Sequence, residues 1–387
     1  MKSHPRAGSL VTQLEGHRAF EPSPLPPSPP VIFDSALLRA LSEADQCVGR
    51  LDALADALPA ADLFLAMYVR QEALLSSRIE GTQCTLDDVL QRELTPAAPF
   101  SLDVGEVVSY VAALQHGISR LRDLPLSNRL LREVHGVLLR SGRGSEKTPG
   151  EFRRTQNWIG RPGGSLADAA FVPPPLQVMQ RAIGDLDKFL HGSDLPTLVV
   201  AGLAHVQFET IHPFLDGNGR AGRLLVSLLL HERGILRRPV LYLSTYLEQH
   251  QVEYFHRLTA VREEGDWEGW LGFFLTGISV SARNAAATAK RVQEMRERDR
   301  ASLLEAGGLR HDLALFDALF RQPIVNAGWV EQELGVAKGT SNKLLGRMQQ
   351  LGILRETTGF RRNRLFRYDE YIGVFEQLDP AANPGDD

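Results

Sequence analysis

The spacing of apolar residues predicts a mainly helical chain. Apolar side chains recur at helical intervals from Asp194 to Ile211, and Pro196 suits a first helical position. Pro213 disfavours helical geometry at the residue before it, so this helix should end at His212. A leucine-rich run from Arg220 to Gly234 predicts a second helix, closed by its glycine.

The same patterns divide the chain into four parts. Residues 1–34 are polar and then proline-rich, which predicts an extended or disordered arm. Residues 35–115 are helical by period, and residues 116–295 form a central helical domain. A charged helix from Ser281 to Ala306 is expected to connect it to residues 305–375. That last part has the order of a winged helix-turn-helix domain.

Composition narrows the class of protein. The hydrophobic content of 43% and charged content of 23% are ordinary for a soluble globular protein, and the net charge of −4 carries no global nucleic-acid signature. Cys47 and Cys84 lack metal-site or disulfide spacing, which favours a reducing compartment. No signal peptide and no apolar run of about 20 residues is present. We therefore expect a cytoplasmic protein without membrane contact.

The segment HPFLDGNGRAGR, residues 212–223, carries anion-binding chemistry. Gly217, Asn218 and Gly219 should lie at the start of a helix, where free N–H groups and the helix dipole attract anions. Arg220 and Arg223 are three residues apart in the first turn, so their planar guanidinium groups share one face. This arrangement predicts a cradle for a polyphosphate.

A carboxylate and a base complete the segment. Asp216 beside the cradle would repel phosphate unless a divalent cation bridges the two, which points to Mg²⁺ held by few protein oxygens. His212 is a candidate general base. Each residue alone has an ordinary structural explanation, such as a turn, a cap or a solvated face, but the combination at these spacings does not. No Walker A run is present, and the histidine spacing does not fit a transition-metal site.

The segment resembles the signature of the Fic/Doc superfamily. The resemblance implies a mainly α fold, with a Fic helical core, a small β-hairpin flap and, at the C-terminus, a winged helix-turn-helix domain. It also implies transfer of AMP from ATP, with Mg²⁺, onto a Tyr, Thr or Ser hydroxyl of a target protein. The signature is matched by His212, Phe214, Asp216, Gly217, Asn218, Gly219, Arg220 and Arg223.

The resemblance gives each residue a role. His212 would deprotonate the attacking hydroxyl, and Asp216 would hold the Mg²⁺ that bridges the α- and β-phosphates. The turn 217–219 would form the anion hole, while Arg220 and Arg223 would hold the β- and γ-phosphates. Phe214 would anchor the loop in the core.

An inhibitory motif precedes the core. Ser76 to Gly81 spell SSRIEG, which is similar to the family's inhibitory pattern (S/T)xxxE(G/N). In members that carry it, the glutamate, here Glu80, pairs with the second motif arginine, here Arg223, and displaces the γ-phosphate. An arginine can satisfy a carboxylate or a phosphate, but not both at once. The ordinary alternative is that Glu80 ends an amphipathic helix and Gly81 follows it.

Two further stretches resemble the family at lower specificity. Two short apolar runs within residues 157–172 predict a β-hairpin around Gly163, and in the family this flap clamps a target segment by strand pairing. His250 and Tyr254 correspond to positions near the adenine. Phe255 stands where many relatives have a second tyrosine, so a role that needs that hydroxyl is in doubt.

Alternative functions stay open at the sequence level. The runner-up is a DNA-binding regulator that uses the nucleotide site as a sensor or self-modification switch, because basic residues cluster in the wing. The wing residues are Arg361, Arg362, Arg364 and Arg367. Such domains serve equally as protein-interaction or dimer modules. Some relatives with an inhibitory glutamate also remove AMP, and many are homodimers.

Overall fold

The computed structural model describes residues 2–14, 16–57, 61–95, 99–161 and 163–378. Most of them are helical, which confirms the predicted mainly helical fold. The helices are α1 (Ser35–Ala57), α2 (Ala61–Ile79), α3 (Leu86–Leu94), α4 (Leu102–Arg120), α5 (Asn128–Leu138), α6 (Leu176–Gly192), α7 (Thr197–Ile211), α8 (Asn218–Glu232), α9 (Ser244–Gln249), α10 (Gln251–Glu264), α11 (Trp267–Glu305), α12 (Arg310–Leu319), α13 (Ala327–Leu334), α14 (Lys338–Gln350) and α15 (Asp369–Glu376). The strands are β1 (Gly8–Thr12), β2 (Arg18–Pro22), β3 (Ile324–Val325), β4 (Arg355–Glu356) and β5 (Phe366–Arg367). Across the described ranges, no helix is both long and apolar enough to cross a membrane.

The central helix of the molecule is α7. Every residue from Leu198 to Ile211 is buried, because the helix is apolar on nearly all sides and must be enclosed. It is flanked by α1, α6, α8 and α11. It ends at His212, as Pro213 predicts, and α8 begins two residues earlier than expected, at Asn218. These two helices fix the loop between them.

The end of α2 meets the start of α8. This helix packs against α4, α8 and α9, and Ser76 and Ser77 in its last turn are fully buried. It ends at Ile79, and Gly81 then adopts a left-handed φ of +89°, which favours glycine. The segment that carries the inhibitory motif therefore ends beside the motif arginines.

The expected connecting helix is part of a longer one. Helix α11 runs for 39 residues without interruption, so the predicted connector Ser281–Ala306 is its second half and not a separate element. No glycine or proline follows Gly277 in this helix, which leaves nothing to break it. Its first half packs on α7, and its second half contacts α12 and α15.

The C-terminal region forms a small α/β unit. Strand β3 lies between α12 and α13, and β4 and β5 follow α14. The three strands form an antiparallel sheet of order β3-β5-β4, in which Val325 pairs with Phe366. Gln322 Nε2 donates to the Leu90 carbonyl oxygen of α3 over 2.9 Å, so the unit is attached to the helix that follows α2. The winged-helix assignment stays a prediction.

The described residues of the N-terminal arm include two paired strands, where composition alone predicted an extended or disordered segment. Strands β1 and β2 pair antiparallel, and Phe20 on β2 is buried. Arg6 donates to both carboxylate oxygens of Glu268 and to the carbonyl oxygens of Pro29 and Pro30. The buried Phe20 ring and the hydrogen bonds of Arg6 hold the arm in place. Proline content alone does not reveal these contacts.

Candidate active site

His212 closes α7 in a left-handed conformation, with φ 50° and ψ 60°. A residue other than glycine stays in this region only where its surroundings fix it. The buried Arg153 donates from Nε to the His212 carbonyl oxygen over 3.0 Å, and Asn157 Nδ2 donates to the same oxygen over 3.3 Å. Arg153 also donates to the carbonyl oxygens of Thr155 and Pro174. This arginine therefore fixes the backbone that orients the imidazole.

The His212 ring is suited to accept a proton. Its Nδ1 lies 3.4 Å from the Glu209 carbonyl oxygen, which can only accept a hydrogen bond. We therefore assign the proton to Nδ1 and leave Nε2 as the acceptor. Burial lowers the pKa of His212 to about 4, so the ring is neutral at neutral pH.

The loop after His212 is fixed by stacking and by an amide. The Phe214 ring is buried and stacks on His135, with centroids 3.6 Å apart and an interplanar angle of 3°. His135 Nδ1 accepts from Gly150 N over 2.9 Å, so its Nε2 donates to the Asp216 carbonyl oxygen over 2.9 Å. The Asn218 side chain bonds both the N–H and the carbonyl of Phe214, each over 2.9 Å.

The first turn of α8 offers an anion-binding surface. Gly217 occupies the N-cap position with φ +73° and supplies no capping side chain, so the N–H groups that follow it stay available. Its own N–H donates to Asp216 Oδ1 over 2.6 Å. A Cβ on Gly219 would overlap the Glu80 carboxylate, so glycine is what allows an anion to approach this turn closely.

Arg223 is held by the inhibitory segment. Its Nη2 lies 2.8 Å from Glu80 Oε1, its Nε donates to Ser76 Oγ over 2.7 Å, and Nη2 also donates to the Ser76 carbonyl oxygen. The Arg223 side chain is 2% exposed, whereas the Glu80 side chain that reaches it is 37% exposed. Burial alone would raise the pKa of Glu80, but the charge and hydrogen bond of Arg223 lower it below its ordinary value. Glu80 is therefore an anion at neutral pH.

Arg220 has different partners. Its Nη1 lies 3.3 Å from Glu106 Oε2, and its Nη2 lies 3.5 Å from Asp216 Oδ1. Glu106 is a fully buried residue of α4 that also accepts from Arg143. Sequence reasoning missed Glu106, Arg143, His135 and Arg153 as parts of this site, because none of the four lies in the 212–223 segment or the inhibitory motif.

Comparison with known proteins identifies the family. Residues 125–230 match the Fic/DOC family, and residues 38–119 match the Fic/DOC family N-terminal domain. The chain is a Fic-domain protein. It is 29% identical to the protein adenylyltransferase Fic of Drosophila willistoni over 50% of this chain and 37% of that one. It is 25% identical to a probable protein adenylyltransferase of Aquifex aeolicus over 45% of this chain and 51% of that one. The chain thus spans about half or less of the length of these relatives.

Solved structures share the Fic fold. A Fic family protein from Desulfovibrio desulfuricans G20 has a TM-score of 0.58 and 21% identity, and the match covers 88% of this chain and 97% of that one. A Fic domain containing signaling protein from Bacteroides thetaiotaomicron has a TM-score of 0.51 and 18% identity, over 67% of this chain and 97% of that one. At these identities the similarity concerns the fold alone.

The two expected adenine residues of this Fic-domain protein differ in accessibility. His250 is exposed, and its ring stacks on Tyr246 with centroids 4.2 Å apart. Tyr254 is 1% exposed, and its hydroxyl lies 2.9 Å from His205 Nε2. Tyr254 therefore offers little surface in this structure, and its contact with the nucleotide stays a prediction. The charge of Arg223 also acts on the Tyr254 hydroxyl, whose pKa burial raises.

The expected flap is less regular than a hairpin. In the described part of residues 157–172, strand pairing is limited to one antiparallel bridge between Ile159 and Phe171. Three prolines follow at 173–175 and cannot donate ladder hydrogen bonds. Trp158 and Ile159 are partly exposed, while Phe171 is buried under the Arg262 guanidinium, 4.1 Å from the ring centroid. Docking of a target segment here stays a prediction.

Proposed function

We propose that this chain is an autoinhibited protein adenylyltransferase, which transfers AMP from ATP to a Tyr, Thr or Ser hydroxyl of a target protein or of itself. The observation that carries the proposal is the juxtaposition at the start of α8. A neutral histidine with a free Nε2 stands at one end of the loop, and an anion-binding turn with two arginines stands at the other. Phosphoryl-type transfer depends mainly on such positioning and on stabilisation of negative charge.

The reaction balances with the groups present. The target hydroxyl oxygen attacks the α-phosphorus of ATP, and its proton passes to His212 Nε2. The bond between the α-phosphorus and the bridging oxygen breaks, and pyrophosphate leaves with that electron pair. Arg220 and Arg223 stabilise the charge on the leaving group. Because His212 accepts the proton, the reaction requires no proton transfer by Asp216.

Asp216 is the residue that would hold Mg²⁺. Its carboxylate is 38% exposed and adjoins the anion-binding turn, which suits a hard cation that keeps most of its ligands from phosphates and water. Among the described residues, no group of three or more His, Cys, Asp or Glu side chains is arranged to hold a metal ion. Bound Mg²⁺ would neutralise phosphate charge.

Inhibition follows from competition for Arg223. The Glu80 carboxylate lies over Gly219 and holds the guanidinium, so it occupies the space and the partner that a γ-phosphate needs. Activation therefore requires Glu80 to leave.

The names of the relatives support AMP transfer, although the chain spans only part of their length. Removal of AMP with Glu80 positioning a water is a second reaction open to the same site. A homodimer is a further expectation from the family. We also propose that the target segment docks at the flap, beside Ile159.

The test is labelling with ATP that carries radioactive phosphorus at the α- or the γ-position. We compare wild type, Glu80→Gly, Glu80→Gln, and Glu80→Gly combined with His212→Ala. We expect α-label only, at least about tenfold stronger in both Glu80 variants because Arg223 is freed, and absent in the double variant. Label from the γ-phosphate would show phosphotransfer instead. Equal labelling of wild type and the Glu80 variants would exclude autoinhibition.

A second candidate function rests on the distribution of charge in the C-terminal unit. Three arginines of the unit pair with acids: Arg347 with Asp312, Arg355 with Asp369, and Arg367 with Asp87. A groove of about 900 Å³ lies between the start of α14 and the loop before β5. Its cations are Lys338, Arg361, Arg362 and Arg364, accompanied by one acid, Glu331. Within the described chain, no carboxylate lies within ion-pair distance of Lys338, Arg361 or Arg362. Such a groove is complementary to a phosphate backbone.

Duplex DNA binding at several salt concentrations tests this candidate. Joint replacement of Arg361, Arg362 and Arg364 by Ala should weaken binding and flatten its salt dependence by about three charges. Replacement of Arg310, an exposed arginine of α12 outside the groove, serves as the control. Binding that is absent, or unchanged in the triple variant, would leave the unit with a structural role.

A further inference from the structure

A buried carboxylate of α4 connects three parts of the site. Glu106 is fully buried. Its Oε1 accepts from Arg143 N over 3.0 Å and from Arg143 Nε over 2.8 Å. Its Oε2 accepts from Thr82 Oγ1 over 2.7 Å and from Arg220 Nη1 over 3.3 Å. Both oxygens are therefore saturated by donors, two of which are guanidinium groups.

The loop that follows α5 is shaped to deliver one of those donors. Gly142 has φ +93°, and a Cβ there would overlap the Glu106 side chain. Gly144 has φ +80°, and a Cβ there would overlap the Asp216 carboxylate. The two glycines let the loop lie directly against both carboxylates, with Arg143 between them. The geometry of this loop is thus matched to the buried acid.

The negative charge of Glu106 is stabilised by more than one partner. Burial alone would raise the pKa of Glu106, but the hydrogen bonds from Arg143 and Thr82 and the charge of Arg220 lower it. Since Arg143 already provides a counter-charge for Glu106, the contact between Glu106 and Arg220 can serve to orient Arg220. Arg220 is 3% exposed, its Nε has no hydrogen-bond partner in the described chain, and its two Nη atoms face Glu106 and Asp216.

We propose that Glu106 is a positioning residue that holds Arg220 in the orientation in which it receives the β-phosphate of the nucleotide. This inference rests on the proposed function, because it takes the ligand of Arg220 to be a nucleoside di- or triphosphate. A planar guanidinium that is gripped at one Nη keeps a fixed plane, and a fixed plane is what two-point contact with phosphate oxygens requires. Glu106 itself touches no substrate atom.

The inhibitory motif and Thr82, the residue that follows it, reach the two arginines by separate routes. Ser76 and Glu80 contact Arg223 directly, whereas Thr82 contacts Glu106, which in turn contacts Arg220. Loss of Glu106 should therefore change β-phosphate binding without relieving the Glu80 block. That difference separates the two effects in an experiment.

The experiment measures dissociation constants of ATP, ADP and AMP by calorimetry, in the full chain with Glu80→Gly so that Arg223 is free. Glu106→Gln keeps the side-chain volume and removes the charge. We expect about tenfold weaker binding of ATP and ADP, roughly the effect of losing one charged contact, and no change for AMP, which lacks a β-phosphate. Arg220→Ala should give the same pattern, and the double variant should add little to either.

A matched control is Glu133→Gln. Glu133 also bridges two arginines, Arg120 and Arg129, but contacts no residue of the 212–223 segment. It should leave all three dissociation constants unchanged. If Glu106→Gln does not fold, Glu106→Asp keeps the buried charge and withdraws it from Arg220 by one methylene, and it should show the same ranking with a smaller loss.

The outcomes separate the two proposals. Equal losses for ATP, ADP and AMP in Glu106→Gln, or no loss at all while Arg220→Ala weakens ATP and ADP, would overturn the positioning role alone. Unchanged binding of ATP and ADP in Arg220→Ala would overturn the proposed function, and the role of Glu106 with it.

Discussion

At the scale of single residues, the backbone at His212 depends on one buried cation. Arg153 is 1% exposed and has no acidic partner in the described chain; burial lowers its pKa to about 10. It is satisfied by carbonyl oxygens, and one of these belongs to His212, whose backbone is left-handed. The cost of that conformation, of order 1 kcal/mol or more, must be offset by such contacts. Arg153 thus acts on the base through the backbone.

Arg153→Lys should lower the transfer rate without weakening ATP binding. Lysine keeps the charge but cannot bond three carbonyl oxygens in a fixed plane, so the His212 carbonyl loses its strongest donor. We expect kcat to fall about tenfold, KM for ATP to stay within about twofold, and stability to fall by about 1–2 kcal/mol. Arg154→Lys, its exposed neighbour, is the control. An equal rise in KM would show that Arg153 acts on nucleotide binding instead.

At the scale of secondary-structure elements, close helix contacts position α8. Gly117 on α4 faces Leu228 on α8 and Val134 on α5, and a Cβ at this glycine would lie 2.8 Å from Leu228 Cδ2. Leu228 and Val134 are themselves buried, so neither can retreat without disturbing the core. The glycine therefore sets how closely α4 approaches the helix that carries both motif arginines.

Gly117→Ala should destabilise the protein although alanine favours helices. The added methyl group overpacks the α4–α8 contact, and we expect a net loss of about 1–2 kcal/mol in the free energy of unfolding. The control is Gly184→Ala on α6, where no atom lies within 4 Å of the added Cβ. That variant should gain about 0.5–1 kcal/mol from helix propensity. Urea unfolding of both variants measures these two changes in the free energy of unfolding. A change of the same sign in both variants would contradict the close contact at Gly117.

At the scale of the whole molecule, buried titratable groups make stability depend on pH in opposite directions. Burial lowers the pKa of His135, His205 and His212 to about 4, so these histidines are harder to protonate in the folded protein. Burial raises the pKa of Glu72 and Glu209 to about 7, so these carboxyls hold their protons more tightly in the folded protein. Glu209 Oε1 has no hydrogen-bond partner in the described chain.

Glu209→Gln should become more stable relative to wild type as the pH rises. A carboxyl with a raised folded pKa contributes stability that is present below its unfolded pKa and is lost as the pH rises through about 7. Relative to wild type, the variant should therefore gain about 2 kcal/mol in the free energy of unfolding between pH 5.5 and 8.5. The exposed Glu264→Gln is the control, and all other groups cancel in the comparison. A pH-independent difference would show that Glu209 is ionised in the folded state throughout this range.

Features that depend on neighbouring residues can be predicted from the sequence alone. Pro213 ends α7 at His212, and Gly217 and Asn218 start α8, because backbone preference at these positions is local. The family resemblance of residues 212–223 is confirmed by the matches to the Fic/DOC family. The pairing of Glu80 with Arg223 was expected from the resemblance of the SSRIEG motif, which no single-residue argument would have supplied.

The distant residues that complete the site can be recognised only once the helices are packed together. His135 lies 81 positions from Asp216, and Glu106 lies 114 positions from Arg220, and neither carries a pattern that distinguishes it from an ordinary helical residue. The burial of Tyr254 and the pairing of β1 with β2 likewise have no local signal in the sequence. The physical reason is the same in each case: burial and long-range hydrogen bonds arise from how the helices pack, and a local pattern carries no record of its partner.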